Sequence, residues 1–401
     1  MSYDYFEDLL RRQSLFKDES KLDINFVPDK LPFREKELSL LSQLFLSLLK
    51  NPNRTSRKVL IAGKTGIGKT VTIKLFSNLL KRAGAKRNLK IDQIHINCRK
   101  ERTSYKVLVK LLHYFNHNIP VRGYSFQDLL GFLEEYLLKN NSHLIIILDE
   151  LGYLMNSNED ILYAITRIND ESYNDTRKLS LIGIIRDISY LSRLDVSTIS
   201  TLQRNIIKFN PYSFKQIIEI LNYRAKISIK ENVISEEIIE MIAKIIWKNG
   251  DIRYGLDLIW KSVKIAESKN LSYISPECIR FANQGLVPFS LHEKLQYMSS
   301  SKLIFLLSIV KQLNNLSKNK ITIACALNEY NIICENLEIT PKSYSQIWNY
   351  LQEYEKENLI TLSIISENII GRKAFIEILD FSLIKLNTSI NKILRSKGIF
   401  I

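Results

Sequence analysis

The eight residues Gly63-Lys64-Thr65-Gly66-Ile67-Gly68-Lys69-Thr70 stand between an apolar run, Val59-Leu60-Ile61-Ala62, and a segment of helical patterning from Val71 to Leu80. Few folds accommodate a strand that breaks into such a loop and resumes as a helix. The glycines free successive backbone N–H groups to converge on one point, Lys69 adds a positive charge there, and the Thr70 hydroxyl is available to a divalent cation. Thr65, Gly66, Ile67, Gly68, Lys69 and Thr70 are therefore expected to hold the phosphates of ATP or ADP, with Mg²⁺ at Thr70.

A second apolar run, Leu144-Ile145-Ile146-Ile147-Leu148, ends in Asp149-Glu150. A buried strand of this kind lifts two carboxylates to its C-terminal edge, where Asp149 can hold the metal and Glu150 can activate an attacking water.

Residues 60–62, 91–97, 144–148 and 180–185 are short and rich in Ile, Val and Leu, and they alternate with helical patterns at 105–115 and 126–139. That alternation predicts an α/β fold, a parallel sheet covered by helices on both faces. From about Phe209 the pattern turns helical, with segments at 213–226, 235–249 and 255–269, the second opened by Ser235 and two glutamates. After Pro288 come helices at 302–316, 323–334 and from Pro341 to Glu357, then β-like runs at 359–363 and 374–379 around Ile369-Ile370-Gly371-Arg372-Lys373. Three helices and a hairpin read as a winged helix, whose third helix would enter the major groove while the hairpin tip touches backbone or minor groove. Lys342, Ser343, Tyr344, Gln346 and Asn349 are then groove-facing candidates, with Arg372 and Lys373 on the wing. A winged helix that binds protein is the other reading, because residues 294–401 are only mildly basic, with 13 Lys or Arg against 9 Asp or Glu. The boundaries expected are 1–208 for the nucleotide-binding domain, 209–293 for a helical lid and 294–401 for the winged helix.

The formal net charge is +15, and it is concentrated: from Lys50 through Lys110 there are 17 Lys or Arg against only Asp92 and Glu101. Such a surface attracts polyphosphate and steers association with nucleic acid, although part of it serves the nucleotide. The apolar runs fall far short of the about 18 residues a membrane span needs. The first eight residues are acidic and lack the basic and apolar blocks of a signal peptide, so a cytoplasmic, nucleoid-associated protein with no membrane partner is expected. Cys98, Cys278, Cys325 and Cys334 read as small buried hydrophobes, and the five histidines form no metal set.

With loop, acids, helical lid and winged helix in that order, the sequence resembles the archaeal replication initiators related to the eukaryotic origin recognition complex, members of the AAA+ ATPases. The resemblance runs from about Val27 to the wing. The stretch Val27 to Glu35, with Val27 and Arg34, is similar to the segment that packs beside the adenine in that family. Asn97-Cys98-Arg99 with Thr103 and Tyr105, and later Arg122-Gly123-Tyr124-Ser125, resemble the region around its DNA-contacting insertion, which makes Arg122 a further DNA candidate. Gly250-Asp251-Ile252-Arg253 is similar to the lid motif whose arginine reaches the γ-phosphate. The family resemblance implies double-stranded DNA as target, at origin or promoter sites, with paralogous initiators and a replicative helicase as partners.

Two positions depart from that family. Gly183-Ile184-Ile185-Arg186-Asp187 carries an arginine where an asparagine is usual, and this side chain would contact phosphate as a charge or face solvent. Leu194-Asp195-Val196-Ser197 offers a serine where a neighbouring subunit's arginine finger is expected, leaving Arg193 or Arg204 as substitutes. A finger is worth about 10³-fold or more in turnover, so slow ATP hydrolysis that works as a conformational latch is expected. Glu150, Arg253 and Arg186 are the catalytic candidates. Two alternatives stay open: a transcription regulator with structurally bound nucleotide, and a plasmid or viral partition or transposition ATPase.

Overall fold

The computed structural model describes residues 13–52, 54–115, 123–140, 142–154, 161–167, 178–193, 199–200, 202, 205–247, 250–284, 289–316, 320–357, 359–367, 371–378 and 383–401. The chain divides into two compact units, Met1–Trp260 and Lys261–Ile401. No described helix is long and apolar enough to cross a membrane.

The first unit is organised by a parallel sheet. Helix α1 (Glu35–Lys50) is followed by strand β1 (Lys58–Ala62), α2 (Lys69–Ala85), β2 (Lys90–Asn97), α3 (Ser104–Phe115), α4 (Phe126–Lys139), β3 (Ser142–Asp149), α5 (Ile161–Arg167), β4 (Leu179–Ile185) and β5 (Ile206–Lys208). The strand order is β2-β3-β4-β1-β5. Strands β3 and β4 are buried along their whole length, which is why they read as unbroken aliphatic runs and not as alternating ones. Leu133, Leu137, Val107 and Leu111 from α3 and α4 cover one side of them. Helices α1 and α2 pack on each other, Phe45 meeting Phe76 edge-on with ring centroids 5.1 Å apart.

Register decides what gathers at the sheet edge. Ala62 pairs with Ile185, Leu148 with Gly183, and Asn97 with Asp149. Because every strand runs the same way, the loop after β1, the two acids at the end of β3 and Arg186 after β4 emerge together at the C-terminal edge, where ligands bind in open α/β sheets. The four strands read from sequence are present with slightly longer bounds. Strand β5 went unread because three residues cannot display a period, and α1 because its buried positions Leu41, Phe45 and Leu48 are interleaved with exposed leucines.

Helices α6 (Phe214–Ser228), α7 (Glu236–Trp247) and α8 (Ile252–Ser268) follow, and the division between the units falls within α8. Ser213 caps α6 reciprocally with Gln216, as Ser125 caps α4 with Asp128. The segment ahead of α1 lies on α6: Phe16 bridges to Ile229, and Arg224 donates to the carbonyls of Lys21 and Asp23.

The second unit holds α9 (Pro276–Gln284), α10 (Phe289–Gln296), α11 (Ser300–Leu316), strand β6 (Ile321–Thr322), α12 (Ile323–Asn336), α13 (Tyr344–Lys356), the hairpin β7 (Ile360–Glu367) and β8 (Gly371–Ile378), and α14 (Leu383–Ser396). Phe305 of α11 sits at the centre, edge-on to Tyr330 and stacked toward Tyr354, whose hydroxyl donates to the Lys302 carbonyl across 2.5 Å. The sheet order is β6-β8-β7, and β7 and β8 are antiparallel from Ile360↔Ile378 to Glu367↔Gly371. Helix α13 begins at Tyr344 and not at Pro341, because Ser343 is still extended (φ −62°, ψ 155°) and supplies the N-cap position.

Candidate functional site

The glycines of the loop are held to their shape from outside it. Gly66 has φ +78°, and a Cβ there would lie 2.4 Å from Asp251 Oδ1; Gly68 has φ +91°, and a Cβ would lie 2.7 Å from the Tyr212 hydroxyl. Both positions require glycine twice over, for conformation and for space. The Ile252 N–H donates to the Gly66 carbonyl at 3.3 Å, so the start of α8 sits directly against the loop.

Arg34 fastens the loop from the other side. Its Nε and Nη2 donate to the Ile67 carbonyl at 3.3 and 2.9 Å, Nη2 also reaches the Asn210 carbonyl at 2.9 Å, and Nη1 pairs with Glu37 at 2.8 Å. The guanidinium lies 4.0 Å from the Tyr212 ring centroid and 5.0 Å from that of Phe209. Arg34 is buried, so its place is against the loop backbone; Val27 is half-buried, next to Phe26, on whose ring Arg224 rests at 5.3 Å.

Lys69 opens α2 and is buried, its ammonium donating to the carbonyls of Gly63 and Lys64 at 2.5 and 2.6 Å. Burial lowers its pKa from 10.5 to about 8, against the opposing pull of Glu150 and Asp149. Thr65, Gly66 and Thr70 are half-buried.

The Thr70 hydroxyl donates to Asp149 Oδ2 at 2.8 Å, and His95 Nε2 lies 3.3 Å from the same oxygen. Burial pushes the Asp149 carboxyl up, but His95, Thr70 and the Glu150 N–H together outweigh it, and the group lies below the ordinary aspartate range. One hydroxyl and one carboxylate on a common edge fit Mg²⁺, which takes few protein ligands and completes its shell with water and phosphate. Among the described residues no larger His, Cys, Asp and Glu cluster competes.

Glu150 follows in a left-handed conformation (φ 56°, ψ 39°), its N–H bonded to Asp149 Oδ1 at 2.8 Å. Its Oε2 accepts from Arg186 Nε at 2.9 Å. Arg186 thus has a specific carboxylate partner, a contact beyond the two expected from sequence. Arg253 forms a fork on Asp251, Nε to Oδ1 at 3.1 Å and Nη2 to Oδ2 at 3.2 Å. The side chains of Arg186 and Arg253 both remain partly exposed, and the charges of both act on Lys69.

In the second unit, Lys342, Ser343, Tyr344, Gln346 and Asn349 are all exposed, while Ile347, Tyr350, Leu351 and Tyr354 form the opposite, buried face of α13. Arg372 and Lys373 lie in β8, paired in register with Ser366 and Ile365. Arg122, Leu194 to Val196, Ser197 and Arg204 lie outside the described residues.

Three contacts were not read from the sequence. The five histidines form no metal set by sequence spacing, yet Asn97 pairs with Asp149 and His95 lies two residues back on the same face of β2. Tyr212 and the packing of Asp251 on Gly66 join positions more than 140 residues apart, and no local spacing signals them. Cys98, Cys278 and Cys334 are buried, and Cys325 is half-buried beneath Thr322.

Comparison with known proteins finds three family matches: an AAA domain over residues 53–187, a Cdc6 AAA+ ATPase-type lid domain over 218–284, and a CDC6 C-terminal winged helix domain over 293–389. An ORC1-type DNA replication protein 2 of Sulfurisphaera tokodaii is 32% identical over 387 residues, covering 94% of this chain and 92% of its own. Among solved structures, the Aeropyrum pernix ORC1 protein in complex with DNA matches with TM-score 0.81 at 23% identity, covering 94% of this chain and 97% of its own. The Aeropyrum pernix ORC2 protein, solved as ADPNP-ADP complexes, matches with TM-score 0.64 at 22% identity, covering 96% and 99%.

Proposed function

Since the chain belongs to the ORC1-type family of DNA replication proteins, with the AAA+ domain, lid and winged helix of that family, we propose that it recognises replication origins on duplex DNA and uses a slowly hydrolysed ATP as a conformational latch. The domain limits that go with this reading are 1–208, 209–293 and 294–401.

The observation that carries it is the convergence at one sheet edge of the Lys69 ammonium, the 2.8 Å Thr70–Asp149 contact and Glu150, with Asp251 of the lid packed on Gly66 and its partner Arg253 acting on Lys69. The Gly66–Thr70 amides and Lys69 would hold the phosphates, Thr70 and Asp149 would hold Mg²⁺, which when bound would draw charge from phosphate oxygens, and Glu150 would take the proton of the attacking water. Arg253 reports the γ-phosphate to the lid, and Val27 and Arg34 border the nucleotide. The exposed face of α13 reads DNA, with Arg372 and Lys373 on the wing and Arg122 on the first unit. The structures of the Aeropyrum relatives with DNA and with nucleotide support this assignment. Paralogous initiators and a replicative helicase are the partners such a protein recruits, and it works in the cytoplasm at the nucleoid.

The curated relatives are named as replication proteins, which favours initiation over transcription regulation. A genome-wide map of bound DNA decides between them. An initiator concentrates at one or a few origins; occupancy spread over many promoters would overturn the proposal. Glu150→Gln should keep ATP affinity and stop hydrolysis.

A further inference from the structure

Arg186 is the first residue beyond β4, placed beside the acids of β3 by the pairing of Leu148 with Gly183. Its Nε donates to Glu150 Oε2 at 2.9 Å, with side-chain exposures of 22% and 17%, so the pair is largely withdrawn from solvent and its charges are only partly screened. The guanidinium also lies 5.9 Å from the Tyr153 ring centroid, and the same ring has Arg99 at 5.5 Å and Arg102 at 5.8 Å. Three cations thus surround one tyrosine, and Glu150 is a carboxylate partner of Arg186.

The backbone is arranged for this contact. Glu150 adopts a left-handed conformation that a non-glycine residue rarely takes, and its N–H is bonded to Asp149 Oδ1. The turn Leu151–Tyr153 that follows carries Tyr153 under the guanidinium. Residues of one local turn therefore hold both ends of the ion pair.

We propose that Arg186 is a positioning residue that restrains Glu150 and thereby sets the slow rate of ATP hydrolysis. This rests on the nucleotide reading above. In hydrolysis the water oxygen bonds to the γ-phosphorus as the bridging β–γ P–O bond breaks, its electron pair leaves with ADP, and the water proton passes to a Glu150 oxygen. The Arg186 Nε–Glu150 Oε2 bond fixes the direction in which the carboxylate points, and a guanidinium does not give up the proton that makes that bond. The carboxylate must release Arg186 before it can turn an oxygen toward the attacking water, and that release is the barrier Arg186 adds.

The test is ATP turnover and equilibrium ATP binding by the full chain and its Arg186→Asn, Arg186→Gln and Arg186→Lys variants, with Mg²⁺ and ATP as the only ligands. The two amide variants should raise kcat by about tenfold or more, well inside the about 10²–10⁴-fold that a general base supplies, while ATP affinity stays the same. Arg186→Lys, which keeps a donor and a charge without the planar fork, should fall between them and the parent. Adding Glu150→Gln to Arg186→Asn should abolish the gain. A lower kcat in the amide variants would overturn the proposal in favour of a phosphate contact, and an unchanged kcat in chains that fold and bind ATP would reduce the pair to a structural one. A parent chain that binds no ATP would instead sink the nucleotide reading, a result the binding measurement separates from the others.

Discussion

Arg34 donates through two nitrogens to the carbonyl of Ile67, 33 residues ahead in sequence and in the middle of the glycine-rich loop. A residue outside the glycine motif therefore fixes the backbone of that motif, and the Tyr212 ring 4.0 Å away keeps water from the contact.

Removing this arginine should be felt at the nucleotide. Arg34→Ala leaves the Ile67 and Asn210 carbonyls and the Glu37 carboxylate without their partner, a loss of about 3 kcal/mol or more for a buried ion. Arg34→Lys keeps the charge but cannot serve two carbonyls and a carboxylate in one plane. Both variants should lower the thermal midpoint and weaken ATP binding, the alanine more than the lysine; unaltered affinity in a folded Arg34→Ala protein would detach the loop from this anchor.

Nucleotide affinity should depend on alkaline pH. Burial brings Lys69 down to about 8, so above that value the free chain carries a neutral amine that must take up a proton before it can attract phosphate. The ATP dissociation constant should rise by about tenfold per pH unit above 8 until the pH passes the higher value at which the lysine loses its proton in the complex. Titration of affinity between neutral and alkaline pH by calorimetry checks this, and Lys69→Ala should show weak binding without that slope.

Acid should destabilise the first unit through a residue that has no place in the site. His143 is buried in β3 with Nε2 2.8 Å from the Ser180 hydroxyl, and burial lowers its pKa from 6.5 to about 4. Between these values the unfolded chain binds a proton that the folded chain refuses, so stability falls as the pH drops from 6.5 toward 4 and levels off below. The full effect is about 3 kcal/mol. His143→Gln, whose amide can still meet Ser180, should lose that part of the acid sensitivity in denaturant melts compared across the interval.

DNA binding should separate into two contributions. Gln346→Ala and Asn349→Ala, on the exposed face of α13, should each cost about 1–3 kcal/mol on a preferred site and relax its sequence preference. Neutralising Arg372 and Lys373 should weaken binding on every sequence and reduce the salt slope by about one unit per lost phosphate contact. Equal losses on specific and random DNA from the α13 variants would remove that helix from base reading.

The glycine spacing, the acids after an aliphatic run and the order of strand and helix patterns were all legible, because each is a local property of neighbouring residues. A parallel strand buried on both faces must be continuously apolar, and a phosphate loop must place its glycines at set intervals. Exposed positions on α13 followed in the same way from helical periodicity.

What the linear chain determined by itself was therefore the set of elements and the chemical candidates at their ends. Only the tertiary structure decided their partners: Arg186 with Glu150, Arg253 with Asp251, His95 with Asp149, and Asp251 against Gly66. Such pairings arise from strand register and from the approach of a helix almost 200 residues further along, and a charged side chain at a sheet edge takes whichever opposite charge the register brings within reach. Sequence names the charges, but the distances between them exist only once the sheet has formed.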